Sequence, residues 1–286
     1  MDSGIEWTDL TWNPTTGCDQ VSPGCDRCYA LTLAKRLKAM GSAKYQRDGA
    51  PRTSGPGFAL TTHEDTLYAP LRKRAGKKIF VNSMSDLFHQ QVPDAFIARV
   101  FAVMALSPRH TYQVLTKRPA RMRALLNSPA FRLACEEAEA EIMADEKAPI
   151  PRYKRNRWRT QWWSHFAKPL PNVWLGISAE DQKRADQRIP ALKDTPAAVR
   201  FLSLEPLLGP LRLDLTGISW VIAGGESGPL HRPLDLNWAR EIRDQCTAHG
   251  TPFLFKQVGG LTPKSGGRLL DGRTWDGYPA SPAPVR

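Results

Sequence analysis

A chain of 286 residues, 41% of them hydrophobic, can bury a substantial core as one large α/β domain or two small ones. No apolar run approaches the roughly 18–20 residues of a bilayer span, and the first residues are neither basic nor apolar, so a cytoplasmic protein with no membrane partner is expected. Forty Lys and Arg against 28 Asp and Glu leave a net charge of +12, which favours polyanions, nucleic acid first, while five cysteines, three of them clustered, suit a reducing compartment better than a disulfide scaffold.

In chain order, residues 5–12 read as a short strand that runs straight into a loop holding Cys18, Cys25 and Cys28. This loop is spaced C-x6-C-x2-C and bent by Gly17, Pro23 and Gly24. A helical pattern follows over Tyr29–Ala39. Strand-length apolar runs then recur at 57–63, 78–83, 111–117, 172–178, 199–205, 219–226 and 252–257, most of them rich in β-branched or aromatic residues. Helical patterns separate several of them, at 94–106 and Leu236–His249, with Asp94 and Asp235 at the expected N-cap positions and Gly250 just past a C-terminus.

Strands alternating with helices imply a parallel sheet with crossover helices. Up to eight strand candidates point to an α/β fold of the complete or partial (β/α) barrel type. The barrel is expected to occupy residues 1–258 as a single domain, interrupted by a charged insertion at about 136–170. Residues 259–286 form a Gly/Pro-rich extension expected to wrap it irregularly. Barrels of this kind place their chemistry at the C-terminal strand ends. Those ends gather the cysteine loop, His63, residues 82–86, Lys117, Arg118, residues 178–181, Glu205, Glu226 and Lys256.

The insertion opens with an acidic run (Glu136, Glu137, Glu139, Glu141, Asp145, Glu146) and continues as a basic one, with seven Lys and Arg and no acid between Lys147 and Lys168. Arg152, Lys154, Arg155, Arg157 and Arg159 interleave with Tyr153, Trp158, Trp162 and Trp163. Cations neutralise phosphates and aromatic faces stack on unpaired bases, so this segment is the candidate nucleic-acid contact. The competing reading is a solvated loop anchored by its tryptophans and paired with the acidic run.

Three thiolates on one tight loop can hold a metal centre and leave one position open. A structural zinc site needs four ligands, here Cys18, Cys25, Cys28 and a distant His. A redox pair at Cys25 and Cys28 leaves the third cysteine unexplained. An iron–sulfur cluster with one iron free of protein ligands accounts for all three.

Several strings carry a resemblance. They are Ile5-Glu6-Trp7-Thr8, Thr11-Trp12-Asn13-Pro14, the three-cysteine loop through Tyr29-Ala30, 80–89, 115–119, 203–209, 224–229 and 255–257. Together they resemble a phage-associated three-cysteine-motif family of uncharacterised proteins. More distantly, the order of strand, three-cysteine loop, strand ending at Asp86 and strand ending at Lys117 is similar to radical S-adenosylmethionine enzymes of the spore photoproduct lyase-like branch. The usual spacing there is C-x3-C-x2-C, so this chain departs from it in the first gap. The resemblance implies a barrel of the radical-SAM type. It also implies a [4Fe–4S] cluster on Cys18, Cys25 and Cys28, S-adenosyl-L-methionine as second cofactor, and a 5′-deoxyadenosyl radical acting on nucleic acid or a nucleotide in modification or repair. Asn82, Ser83, Ser85, Asp86, Ser178 and Glu180 would line the cofactor, and Lys117, Glu205, Glu226 and Lys256 would serve as catalytic or substrate-binding groups. A reductant protein and a partner protein encoded nearby are the implied partners. The alternative is a zinc-stabilised nucleic-acid-binding phage or mobile-element protein without catalysis.

Overall fold

The computed structural model describes residues 3–160, 165–262 and 264–280, the side chains of 157–160 excepted. The chain runs through β1 (Leu10–Thr11), β2 (Thr15–Thr16), the cysteine loop with a single 3-10 turn at Pro23–Cys25, α1 (Tyr29–Ala39), β3 (Thr61–Thr62) and α2 (Glu64–Leu67). It continues with β4 (Lys78–Val81), α3 (Asp94–Ala105), β5 (Thr111–Thr116), α4 (Pro119–Leu126), α5 (Pro129–Ala144), α6 (Arg152–Thr160) and β6 (Val173–Ser178). The last elements are α7 (Gln182–Lys193), β7 (Val199–Leu204), β8 (Trp220–Gly224), α8 (Leu236–His249) and β9 (Phe253–Gln257).

Seven strands form one all-parallel sheet in the order β1-β4-β5-β6-β7-β8-β9, so each strand pairs with the previous strand of the sheet. The two outer strands do not pair with each other, and the sheet is an open half-barrel. Its curl follows from which side chains meet. Phe80, Trp174, Phe201, Trp220 and Leu254, from five different strands, share one buried cluster on the concave face. Their immediate neighbours Val81, Val173, Leu202, Val221 and Phe255 belong to the larger core beneath the helices. This two-residue alternation is the strand period, and it assigns every strand one concave and one helix-covered face.

Both ends of the chain close the open side. Trp7 enters the concavity with its ring 4.7 Å from Phe80 and 6.2 Å from Trp220. Gln113 Nε2 donates to the Trp7 carbonyl at 3.0 Å. Tyr278 stacks on Trp220 at 4.8 Å, and the tail segment around Asp276 runs antiparallel along β9. At Gly176 a Cβ would lie 2.4 Å from the Phe201 ring, so only glycine lets that ring cross the floor. The aromatic floor fills the lower half of the concavity, which leaves the polar strand ends at its mouth.

Three expectations are corrected. Only Leu10–Thr11 of residues 5–12 is strand, because residues 5–7 turn inward to seat Trp7. The run at 57–63 does not join the barrel sheet; Thr61–Thr62 pairs antiparallel with Thr15–Thr16 in a separate ribbon beside the cysteine loop. Asp94 is the first residue of α3, whose N-cap is Pro93, whereas Asp235 does cap α8 by accepting from Asn237 N at 2.8 Å. Gly250 ends α8 in the left-handed region at φ 74°, as expected. No described helix is long and apolar enough to cross a membrane.

Candidate functional site

The cysteine loop lies over the C-terminal ends of the strands, and three strand ends hold it. Gly17, at φ 88°, lets the chain enter the loop, since a Cβ there would meet the Ala59 carbonyl at 2.2 Å. Pro23 opens the short 3-10 turn, and Cys28 occupies the N-cap of α1.

The first anchor comes from β5. Arg118 Nη1 lies 3.3 Å from Cys18 Sγ and 3.2 Å from Asp86 Oδ2, and its Nη2 donates to the Asp19 carbonyl at 3.1 Å. Asp86 is buried and also accepts from Thr116 Oγ1 at 2.7 Å, Lys117 N at 2.9 Å and Phe88 N at 3.0 Å. The Asp19 carboxylate accepts from Ser54 and Thr53 and pairs with buried His89 at 2.9 Å. Burial opposes its charge, but these hydrogen bonds prevail and bring it down to about 2.

The second anchor comes from the end of β6. Glu180 is fully buried; it accepts from Gly24 N at 3.2 Å and pairs with Arg188 at 3.1 Å. Burial raises this carboxyl, but a hydrogen bond from Ser22 and the charge of Arg188 hold it below the usual range. Gly24 fits closely, since a Cβ there would stand 3.1 Å from the Glu180 carboxyl carbon.

The third anchor comes from the end of β8. Glu226, buried, takes three hydrogen bonds from Arg232, at 2.9, 2.9 and 2.6 Å. Arg232 in turn donates to the Pro23 carbonyl at 2.9 Å and approaches Asp26 at 3.7 Å. Burial again opposes the charge, and the Arg232 bonds hold Glu226 below the ordinary range.

All three loop cysteines are free and partly buried, while Cys135 and Cys246 sit in the cores of α5 and α8. Burial, then the charge of Asp86, pushes the Cys18 thiol up to about 12, against the pull of Arg118. Burial likewise raises Cys28, which Lys117 opposes. Among the described residues, no three His, Cys, Asp or Glu side chains are grouped so as to hold a single metal ion. His63 Nε2 is engaged by Thr16 Oγ1 at 2.8 Å in the β2–β3 ribbon.

Below the loop, Lys117 Nζ bonds Ser178 Oγ at 2.7 Å, and Lys256 Nζ lies 3.3 Å from Glu205 Oε1. Burial raises the Glu205 carboxyl and the charge of Glu6 adds to this, while Lys256 and Lys117 resist it. Asn82 Oδ1 is buried without a hydrogen-bond partner, whereas Glu205 Oε1 is ion-paired with Lys256. Asn82 Nδ2 donates to Thr15 Oγ1 at 2.5 Å and Ser85 Oγ at 2.7 Å. Ser83 is held through its amide by Asn13 Oδ1 at 2.8 Å, and its carbonyl accepts from Tyr29 at 2.6 Å. Tyr29 keeps its ring exposed at the rim.

With this geometry in place, comparison with known proteins adds one result. Residues 2–279 match the family described as protein of unknown function (DUF5131). The chain belongs to that family. No curated protein and no solved structure matches it.

In this DUF5131 member, the strand-end residues expected from sequence do come together, in two groups. Lys117, Ser178, Glu205, Lys256 and Asn82 face the concavity. Asp86, Glu180 and Glu226 are engaged by protein partners that position the loop and its approach, and Ser83 and Ser85 belong to the hydrogen-bonded turn beside Asn13 and Thr15. Arg118, Asp19, His89, Arg188, Arg232 and Glu6 complete the site but were not assigned roles from sequence. Adjacency to Lys117, Cys18 and Trp7 was the available signal for Arg118, Asp19 and Glu6.

The basic segment lies on α6. Arg152, Tyr153 and Lys154 are exposed. Arg155 instead turns inward and donates to the carbonyls of Met143, Asp145 (2.7 Å) and Ala148 (2.8 Å), closing the C-terminal end of α5. Arg157, Trp158 and Arg159 have side chains outside the described part, and Trp162 lies outside the described residues. A cavity of about 330 Å³ lies on the outer face, between α5 and β6, lined by Phe101, Phe131 and Leu170. None of the loop cysteines or strand-end site residues lines it.

Proposed function

We propose that this chain is a radical S-adenosylmethionine-type iron–sulfur enzyme acting on nucleic acid or a nucleotide. The observation that carries the reading is the set of three free thiols on one loop, held over the mouth of a parallel half-barrel by three strand ends. The donor chemistry fits the group: thiolates are the ligands of iron–sulfur clusters, and three of them leave one iron open. A cluster spreads its cysteines over different irons, whereas a single zinc ion needs four donors around one point. The unpartnered Asn82 Oδ1 offers an acceptor to a bound molecule in the concavity.

Cys18, Cys25 and Cys28 would hold the cluster. When bound, such a group would supply one-electron reduction of S-adenosyl-L-methionine, the chemistry that starts hydrogen removal from a substrate. Lys117 presents its ammonium into the mouth, where it attracts a carboxylate or phosphate. Glu205, whose carboxyl burial pushes above its ordinary range against the pull of Lys256, stands at the strand end as the group to exchange a proton with the substrate. The aromatic floor of Trp7, Trp174, Phe201 and Trp220 excludes water from below.

The net charge of +12 and the exposed Arg152, Tyr153 and Lys154 support a nucleic-acid substrate. A low-potential electron-transfer protein is the partner this chemistry needs. The test is anaerobic incubation of reconstituted protein with S-adenosyl-L-methionine and dithionite. Release of 5′-deoxyadenosine that depends on all three cysteines is expected. A reduced, iron-loaded protein that never cleaves S-adenosyl-L-methionine contradicts the proposal.

A further inference from the structure

The cysteines are not equivalent in what surrounds them. Cys25 Sγ has the Ser22 hydroxyl at 4.0 Å, and Cys28 is met by the backbone amides at the start of α1. Cys18 alone among the described loop cysteines has a charged donor against its sulfur, Arg118 Nη1 at 3.3 Å. That guanidinium is largely buried and fixed from behind by Asp86 at 3.2 Å and by the Asp19 carbonyl at 3.1 Å. Asp86 is fixed in turn by three further donors, Thr116, Lys117 and Phe88.

Resting on the cluster reading above, we propose that Arg118 and Asp86 form an opposed pair that sets the reduction potential of the cluster through Cys18. Reduction adds one electron from an external reductant to the cluster and makes or breaks no bond. A cation donating to a ligating sulfur favours the extra negative charge and raises the potential. A carboxylate immediately behind that cation does the reverse. Their burial keeps the effect from being screened by salt, as it would be at the surface. The pair therefore works as a fixed bias on a cofactor whose electron must be delivered at low potential. Loss of either member moves the potential in the direction of the one that remains.

The experiment compares wild type with Arg118→Gln, Arg118→Lys and Asp86→Asn after anaerobic reconstitution. Iron and sulfide are measured, and midpoint potentials are read by dithionite titration with electron paramagnetic resonance. The expected result is a lower midpoint in Arg118→Gln, a higher one in Asp86→Asn, and a value between wild type and Arg118→Gln in Arg118→Lys. A general loosening of the loop shifts both single variants the same way and does not produce opposite signs. Variants with wild-type iron content and unmoved midpoints, or midpoints moved in one common direction, overturn this proposal alone. Wild-type protein that takes up no iron and sulfide overturns it together with the cluster reading. Should Arg118→Gln fail to hold a cluster, Arg118→Lys and Asp86→Asn midpoints that equal the wild-type value, or that move in one common direction, overturn it equally.

Discussion

Replacing Glu180 by Ala tests whether the strand ends hold the cysteine loop. Glu180 has no exposed surface, and its partner Arg188 has a side chain only 8% exposed. Removing one member of a buried ion pair costs about 3–5 kcal/mol, because the other charge is left uncompensated. Arg188 retains the Ser178 carbonyl at 2.7 Å, which places the expected loss near the lower end, at about 3 kcal/mol. The Ser22 and Gly24 contacts vanish at the same time, so the loop is released at its middle. Urea unfolding followed by tryptophan emission reads the first effect, and the rate at which an aromatic disulfide reagent labels the thiols of metal-free protein reads the second. Glu180→Gln keeps an oxygen for Gly24 N but still leaves Arg188 without its counter-charge, so its loss is expected to fall between wild type and the Ala variant. Because the folded carboxyl lies below its ordinary value, the contribution is complete above about pH 4.3 and declines as pH falls toward the folded value. An Ala variant within about 0.5 kcal/mol of wild type, with unchanged labelling rates, refutes the anchoring argument.

The other expectations concern the remaining parts of the site and fold. Arg232→Ala frees Pro23 and Asp26 from Glu226 and is expected to speed thiol labelling, read by the same reagent, with the double variant Arg232→Ala/Glu180→Ala faster still. Glu205 behaves oppositely to Glu180. Its folded value is raised, so the folded state keeps its proton longer and stability declines as pH rises above the unfolded value. Glu205→Gln should therefore flatten the fall in urea midpoint as pH rises above the ordinary carboxylate range, while abolishing turnover. At Gly176, Ala drives a methyl to 2.4 Å from the Phe201 ring and is expected to cost at least about 1–3 kcal/mol in urea unfolding. For the exposed cations, Arg152→Ala/Lys154→Ala should weaken single-stranded nucleic-acid binding and lower the salt slope by about 2, about one per phosphate contact. An unchanged slope in fluorescence anisotropy removes α6 from the interface.

How far the site was legible follows from the range of the forces involved. The strand runs at 78–83, 111–117, 172–178, 199–205, 219–226 and 252–257 and the helices Tyr29–Ala39 and Leu236–His249 announce themselves through local period and caps, and they stand in the structure close to where the sequence put them. The run at 57–63 has the same local look, but its pairing is decided by the cysteine loop beside it, which no local pattern records. Residues 5–12 misread in the same way, because the inward turn depends on a floor built from five distant strands. The gathering of Lys117, Ser178, Glu205 and Lys256 at one mouth followed from strand-end logic alone. The engagement of Glu180 by Gly24, and of Glu226 through Arg232 with Pro23, did not, since Gly24 lies 156 residues from Glu180 and Pro23 lies 209 residues from Arg232. Arg118 and Arg232 gain their meaning only when the loop is folded back over the strand ends.

The central claim is that Cys18, Cys25 and Cys28 together hold an iron–sulfur cluster. Metal and acid-labile sulfide analysis of protein purified and reconstituted without oxygen tests it most directly. The account expects about four irons and four sulfides per chain, with single Ala variants of Cys18, Cys25 and Cys28 each losing the cluster while Cys135→Ala and Cys246→Ala retain it. One zinc per chain with no iron or sulfide contradicts it.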